Sequence, residues 1–392
     1  MLDWLIIGGG IHGVHLAFAL TQHGVPLDRL RIIDPRPHLL ARWQHVTSNT
    51  GMTFLRSPLV HHLHTDPRAL SVFGRIHDRA PYTRFIPTYS RPSLELFNRH
   101  CAYLIDKYHL DTLHVQALAQ RVEQIDGGWR IHTDHGSLET RRVVISTGMG
   151  DSMLAYPDWA QALRQDGQKV NHLFEPSFHL SDVGSEETVV VIGGGISAVQ
   201  AACGLANRGK PTWLITRHSM RIHDFDSDPC WQNVLCLGDF HAVPDFNQRR
   251  EIITRARHRG SIPLDVATAL DEAISTGRLQ YQQREIETAT TASAENGRIV
   301  LKLQEGPDIT VDRVLLATGF ERKRPGGDLI DQLVQDYELP TARDTFPMVT
   351  PDLCWKLPGL HLTGPLAELE IGPASRNING ARMAGQRLVR LI

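Results

Sequence analysis

The chain has 392 residues, with 41 Lys plus Arg against 43 Asp plus Glu, a formal charge of −2, and 41% of its residues are hydrophobic. A length of that order holds two or three domains, each large enough to bury its own core, and the composition excludes disordered and fibrous chains. The balanced charge, with no run of five like charges, offers no basic field to a nucleic-acid backbone, so nucleic acid is not an expected partner.

From the start, Met1-Leu2-Asp3-Trp4 leads straight into an apolar run, with neither a basic leader nor a cleavage site. The longest apolar stretches are strand-sized, far below the roughly 20 residues that span a bilayer. A cytoplasmic protein with no membrane contact is the expectation. Trp4 to Ile7 reads as a strand, Gly8-Gly9-Gly10-Ile11-His12-Gly13 as a glycine loop, Val14 to His23 as a helix, and Leu30 to Ile33 as a strand closed by Asp34. Together they predict a βαβ unit.

The stretch from Arg42 to Arg91 is long and weakly periodic, and its length favours a functional loop region over mere connection. Ser93 is placed to cap a helix running to about Tyr108, with Leu94, Phe97, Cys101, Leu104 and Ile105 on one face. Three strands follow, Arg121 to Ile125, Trp129 to Thr133 and Val143 to Ser146, ending at Ser146-Thr147-Gly148.

The plan then recurs. Val189 to Ile192, the loop Gly193-Gly194-Gly195-Ile196-Ser197-Ala198, a helix to Arg208 and a strand Thr212 to Ile215 form a second βαβ unit. Its late strands are Glu285 to Thr290, Arg298 to Leu303 and Arg313 to Leu316, with an Asn296-Gly297 turn and an end at Ala317-Thr318-Gly319. A closing strand, Leu360 to Thr363, and an amphipathic helix from about Asn377 return the chain to its first half. The predicted fold is therefore α/β, with a dinucleotide-binding module used twice. Residues 1–183 and 319–392 form the first domain, and residues 184–318 the second, inserted in it.

In the first loop, Gly8, Gly10 and Gly13 allow a tight turn and close approach of a pyrophosphate, and the helix N-terminus aims unpaired N–H groups at its charge. Asp34, at the end of the next strand, is placed to accept both ribose hydroxyls. The second loop, with Gly193 and Gly195, carries Ala198 for the third glycine, and Thr216-Arg217 stands where an acid would be. A guanidinium there suits a ribose 2′-phosphate, which favours NADPH over NADH, although an exposed Arg217 is compatible with either.

Other signals fail. Asp224-x-Asp226-x-Asp228 starts like a calcium loop, but Pro229 and Leu235 occupy its glycine and bidentate-glutamate positions. His61-His62-x-His64 with Asp66 lacks a helical ligand spacing, so no metal is expected. Five cysteines without a C-x-x-C predict reduced thiols, with Cys230 and Cys236 separate rather than a redox couple.

The two loops and the Ser146-Thr147-Gly148 and Ala317-Thr318-Gly319 connections resemble the two-domain flavoproteins of glutathione-reductase-like architecture over almost the whole chain. The resemblance implies FAD on the first copy and NAD(P)H on the second. Without a paired cysteine the sequence departs from the dithiol reductases and points to the flavin monooxygenases. Within these it is similar to the lysine/ornithine N-hydroxylating enzymes. Arg42-Trp43 and Gly51-Met52-Thr53-Phe54-Leu55-Arg56-Ser57-Pro58 resemble their flavin-proximal segment, with Arg56 where that family has a substrate-side lysine. His172 to Phe178 lies where the family has a linker motif, from which Phe174-Glu175-Pro176 departs, and Gly372 to Asn377 resembles a carboxyl-terminal flavin contact.

Trp43, Met52, Gly148, Gly319, Gly364 and Asn377 complete the expected cofactor set. Arg56, His61, His62 and Asp66 are the candidates for substrate orientation or proton transfer, loop packing being their bland alternative. The resemblance implies hydroxylation of an amine, or a similar nucleophile, of a small metabolite by O₂ through a flavin C4a-hydroperoxide. A reductase of a quinone, disulfide or protein partner, and a flavin redox sensor, stand as the competing functions. The oligomeric state is not legible.

Overall fold

The computed structural model describes residues 1–77, 84–292 and 297–392. Asn296, the first residue of the expected Asn-Gly turn, lies outside the described residues.

The first sheet has seven strands. Along it run His114–Gln116, Leu30–Asp34, Leu2–Ile7, Gly136–Ile145, Gly128–Thr133 and Ala119–Ile125, and Leu360–Leu362 also pairs with Gly136–Ile145. Pairing is parallel around Leu2–Ile7, with Ile7 opposite both Ile33 and Ile145, and antiparallel across the Gly128–Thr133 hairpin. The second sheet is wholly parallel, in the order Leu279–Gln283, Thr212–Thr216, Val189–Ile192, Arg313–Leu316 and Val170–His172. Its middle strands are continuous apolar runs because both faces are covered. Its edge strand Val170–His172 precedes residue 184, the expected start of the second domain.

The two copies differ in one instructive way. In the first, the long strand Gly136–Ile145 serves both the hairpin and the parallel sheet. In the second, Asp312 interrupts the equivalent run. Ile309–Val311 joins Ile286–Thr291 and Ile299–Leu303 in a separate antiparallel sheet, while Arg313–Leu316 enters the parallel one. Asp312 is held at the break by its N–H to the Thr188 carbonyl and by Arg298 on its carboxylate.

The stretch from Arg42 to Arg91 is more ordered than its weak periodicity suggested: it contains helices Ala41–Thr50 and Ala69–His77 and the short strands Phe85–Ile86 and Arg91–Pro92. Ser93 caps helix Leu94–Lys107 by accepting from the Leu96 N–H at 3.2 Å, and Asn377 caps Ile378–Leu388 through the Gly380 N–H at 3.0 Å. That last helix lies against Ile11–Gln22. Gly385 permits the approach, since a Cβ there would come 2.6 Å from Nε2 of His15.

The halves are joined by specific ties as well as by packing. Asn49, buried on helix Ala41–Thr50, donates to the Leu173 and Phe178 carbonyls at 2.9 and 2.8 Å and accepts from the Leu180 N–H at 3.0 Å. Helices Val234–Ala242 and Phe246–Ala256 pack Leu237, Phe240 and Ile253 against Phe346 and Leu369. Among the described residues, no helix is long and apolar enough to cross a membrane.

Candidate functional site

The first glycine loop follows from three different demands on glycine. Gly8 has φ +115°, and a Cβ there would lie 2.6 Å from the Ser146 carbonyl oxygen. A Cβ on Gly13 would lie 1.9 Å from the Gly8 carbonyl oxygen, so the helix seats on the strand end only without a side chain. Gly10 is the N-cap of Ile11–Gln22 and has no atom within 4 Å of where its Cβ would be. The helix start has no side-chain cap and no acid in its first turn. Unpaired N–H groups therefore face an open place beside a backbone without side chains, which fits a diphosphate.

Asp34 closes this site. Its carboxylate accepts from the Gly9 N–H at 2.7 Å and the Arg36 N–H at 2.9 Å, which hold it at the strand end beside the loop. Arg36 and Arg42 both pair with Asp151, tying the loops after Leu30–Asp34 and Gly136–Ile145 together. Gly148 and Gly364 adopt φ of +66° and +67°, and a Cβ on Gly364 would touch the His12 ring. His12 bonds Thr363 Oγ1 through Nδ1 at 2.9 Å, while its buried Nε2 has no partner. Burial lowers its pKa to about 4, leaving a neutral ring. The half-buried Trp43 donates to Asn98 Oδ1 at 2.9 Å, and Met52 packs against the first core.

The second loop repeats the design. Gly193 has φ +148°, and its Cβ would lie 2.6 Å from the Ala317 carbonyl oxygen and 3.2 Å from Ala198 Cβ, so this copy has room for alanine where the first requires Gly13. Gly195 is the N-cap of Ile196–Asn207, again without a side-chain cap. Arg217 is exposed just beyond strand Thr212–Thr216, and among the described residues no carboxylate forms an ion pair with it. Gly319 follows Arg313–Leu316 with φ +77°.

This loop opens on a crevice of about 1010 Å³ between the halves. Gly193 to Ser197, Arg217 and Gly319 line one side, and Arg56 and Arg376 reach it from the first half. Tyr156, Phe174 and Phe320 form an apolar part of the wall, with the Phe174 and Phe320 rings stacked at 5.7 Å.

The four candidates for substrate chemistry are not brought together. Arg56 reaches the crevice, but its guanidinium donates to the carbonyls of His223, Asp224 and Phe225 at 2.7, 2.9 and 2.7 Å and to Ser261 Oγ at 2.8 Å. Burial lowers its pKa, with Asp226 opposing. His61 and His62 are buried beside Arg382, and burial, then the neighbouring charge, depresses the His61 pKa to about 4. His62 accepts from the His64 N–H through Nδ1, and its Nε2 lies 3.2 Å from the Pro67 carbonyl. Asp66 lies at the surface and accepts from the Arg68 N–H. None of these last three lines the crevice.

One expectation is corrected. Cys230 and Cys236 are joined in a disulfide with their Cα atoms 5.2 Å apart. Sequence spacing hid the pair because a 3-10 turn at Pro229–Gln232, followed directly by helix Val234–Ala242, folds the two cysteines back on each other. Neither cysteine lines the crevice. The structure also holds an ion cluster that the sequence does not reveal, in which fully buried Glu368 is shared by Arg250, Arg257 and Arg376, and Glu370 by Arg249 and Arg387. The available signal was an acidic pair, Glu368 and Glu370, inside an otherwise apolar segment opposite an arginine-rich helix.

Solved structures share this fold across the whole chain. The ornithine N-hydroxylase KtzI of Kutzneria sp. 744, described with reduced FAD, NADP⁺ and L-ornithine, aligns with a TM-score of 0.76 at 18% identity, covering 100% of this chain and 98% of its own. The cadaverine monooxygenase DfoA of Erwinia amylovora, bound to FAD, gives 0.75 at 15% identity, covering 100% and 94%. The bacillithiol disulfide reductase of Bacillus cereus gives 0.61 at 17% identity, covering 100% and 98%. No curated protein sequence matches the chain at a significant level. Residues 5–232, from the first strand through the second βαβ unit to the disulfide turn, match the pyridine nucleotide-disulphide oxidoreductase family, and the chain belongs to it.

Proposed function

We propose that the chain is an FAD-dependent, NADPH-using monooxygenase that hydroxylates an amine, or a similar nucleophile, of a small metabolite. The observation that carries this reading is the crevice, built jointly by the second glycine loop and by Arg56 and Arg376 from the half that contains the first loop. FAD belongs on Gly8, Gly10, Gly13 and Asp34, within residues 1–183 and 319–392. NADPH belongs on Gly193, Gly195, Ala198 and Arg217, within 184–318. The likeness to amine monooxygenases described with FAD and NADP⁺ supports the assignment. When bound, the two cofactors supply the reducing equivalents and the oxygen chemistry.

The chain's own part is positioning and exclusion. Tyr156, Phe174 and Phe320 keep water from one end of the crevice. Arg56 holds residues 223–225 and Ser261 as a rigid wall rather than meeting substrate directly. The arginines around the cavity disfavour an ammonium ion and so favour the neutral, nucleophilic amine.

A reductase is the second reading, supported by the Cys230–Cys236 disulfide and the likeness to bacillithiol disulfide reductase. The placement of both cysteines off the crevice weighs against it. Oxygen uptake by FAD-loaded protein with NADPH and a panel of amines separates the two. The monooxygenase reading requires uptake that an amine stimulates and that matches hydroxylamine formed. NADPH oxidation passing in full to a quinone or disulfide under argon, unaffected in air by any amine, would overturn it.

A further inference from the structure

A second pocket, of about 360 Å³, adjoins the crevice, and its wall includes Arg221, Arg257, Arg259, Arg322, His223 and His258. All four of these arginines also line the crevice, so the two spaces are continuous. Among the described residues, no carboxylate lines the smaller pocket. Among the described residues, Arg221, Arg259 and Arg322 form no ion pair with any acid.

Arg257 is the most telling member. Its side chain is only 7% exposed, and Nη2 donates to Glu368 at 2.9 Å and to the Pro373 carbonyl at 3.2 Å. Nη1 is buried and has no hydrogen-bond partner among the described residues. Glu368 cannot neutralise it alone, because Arg250 and Arg376 share the same carboxylate. Leaving a guanidinium N–H buried and unpaired among other cations costs free energy that an arriving anion offsets.

The nucleotide does not account for this pocket. Its 2′-phosphate is expected at Arg217 and its pyrophosphate at Gly195, and neither residue lines it. A free phosphate would leave most of the volume empty, whereas pockets of this size hold part or all of a small metabolite.

We propose that the pocket is an oxyanion subsite, holding a phosphate or carboxylate group of the substrate while its nucleophile lies in the adjoining crevice. The inference rests on the monooxygenase reading and narrows it. The substrate is an acidic metabolite bearing a neutral nucleophile, and simple diamines are excluded by the same cationic field.

The test is calorimetric titration of FAD-loaded protein, saturated with NADP⁺, with inorganic phosphate, citrate and cadaverine. At least one anion should bind, about tenfold more weakly in Arg259→Gln and Arg322→Gln, while NADP⁺ affinity stays within about twofold. Neither residue forms an ion pair among the described residues, so these variants keep the buried Glu368 cluster intact. Stronger phosphate binding identifies a phosphorylated substrate, and stronger citrate binding a polycarboxylate. The proposal is overturned if neither anion binds to the NADP⁺-saturated protein, if the variants bind them unchanged, or if cadaverine binds as tightly. Anion binding without amine-stimulated oxygen uptake would leave the subsite standing and remove the monooxygenase reading.

Discussion

Gly13 packs so closely on Gly8 that a single added carbon would meet the Gly8 carbonyl oxygen at 1.9 Å, while Gly10 between them borders open space. The loop thus separates glycines that the packing of helix on strand requires from one that packing leaves free. Gly10→Val should fold with a melting temperature near that of the FAD-free parent and retain no FAD after purification. Gly13→Ala should instead lower stability, by about 1–3 kcal/mol, because helix and strand must part. Absorbance of bound flavin beside a thermal melt checks both, and normal flavin occupancy in Gly10→Val would remove FAD from this loop.

Arg217 offers a test of nucleotide choice. It is exposed and has no acidic partner among the described residues, so Arg217→Ala should leave the fold untouched. The KM for NADPH should rise about 10- to 100-fold, with that for NADH moving within about twofold, since only NADPH carries the 2′-phosphate. Equal effects on both nucleotides would place the 2′-phosphate elsewhere.

Arg56 predicts a mechanical effect. Its guanidinium satisfies three consecutive carbonyls and Ser261 Oγ, and Gln in its place leaves part of that set unpaired. Arg56→Gln should cost about 2–3 kcal/mol of stability and raise the KM for NADPH, with FAD still bound. Denaturant unfolding and steady-state kinetics measure both, and a change below about 0.5 kcal/mol would contradict the clamp.

Buried histidines set the acid limit. Burial lowers the pKa of His12, His61, His100 and His172 to about 4, and that of His15 to about 3. Their folded values lie below the unfolded value near 6.5, so the unfolded chain binds more protons between the two. Stability is complete above about pH 6.5 and falls as pH drops toward 4, by up to about 1.4 kcal/mol per pH unit for each histidine. Unfolding free energies at pH 7.5, 6 and 5 should decrease in that order, with proton uptake on unfolding. A flat profile would mean these rings titrate normally.

The parts legible in the sequence are those fixed by local chemistry. The glycine loops, Asp34 and the Ser93 cap each depend on neighbours a few residues away or on the end of an adjacent strand. The buried ties were not legible because they join distant segments: Asn49 reaches Leu173, and Arg257 reaches Glu368. The same limit hid the role of Arg56, whose partners lie about 170 residues further on. The Cys230–Cys236 bridge was missed for the opposite reason, a tight local turn that no composition signal marks.

The proposed function requires electrons to pass from a nucleotide on the second loop to a flavin on the first and then to oxygen. Anaerobic rapid mixing of FAD-loaded protein with NADPH, followed by mixing with oxygenated buffer or with a quinone or disulfide, tests it most directly. NADPH should bleach the flavin, oxygen should restore it, and the quinone and disulfide should restore it far more slowly. A flavin left oxidised by NADPH, or one restored fastest by the quinone or disulfide, would contradict it.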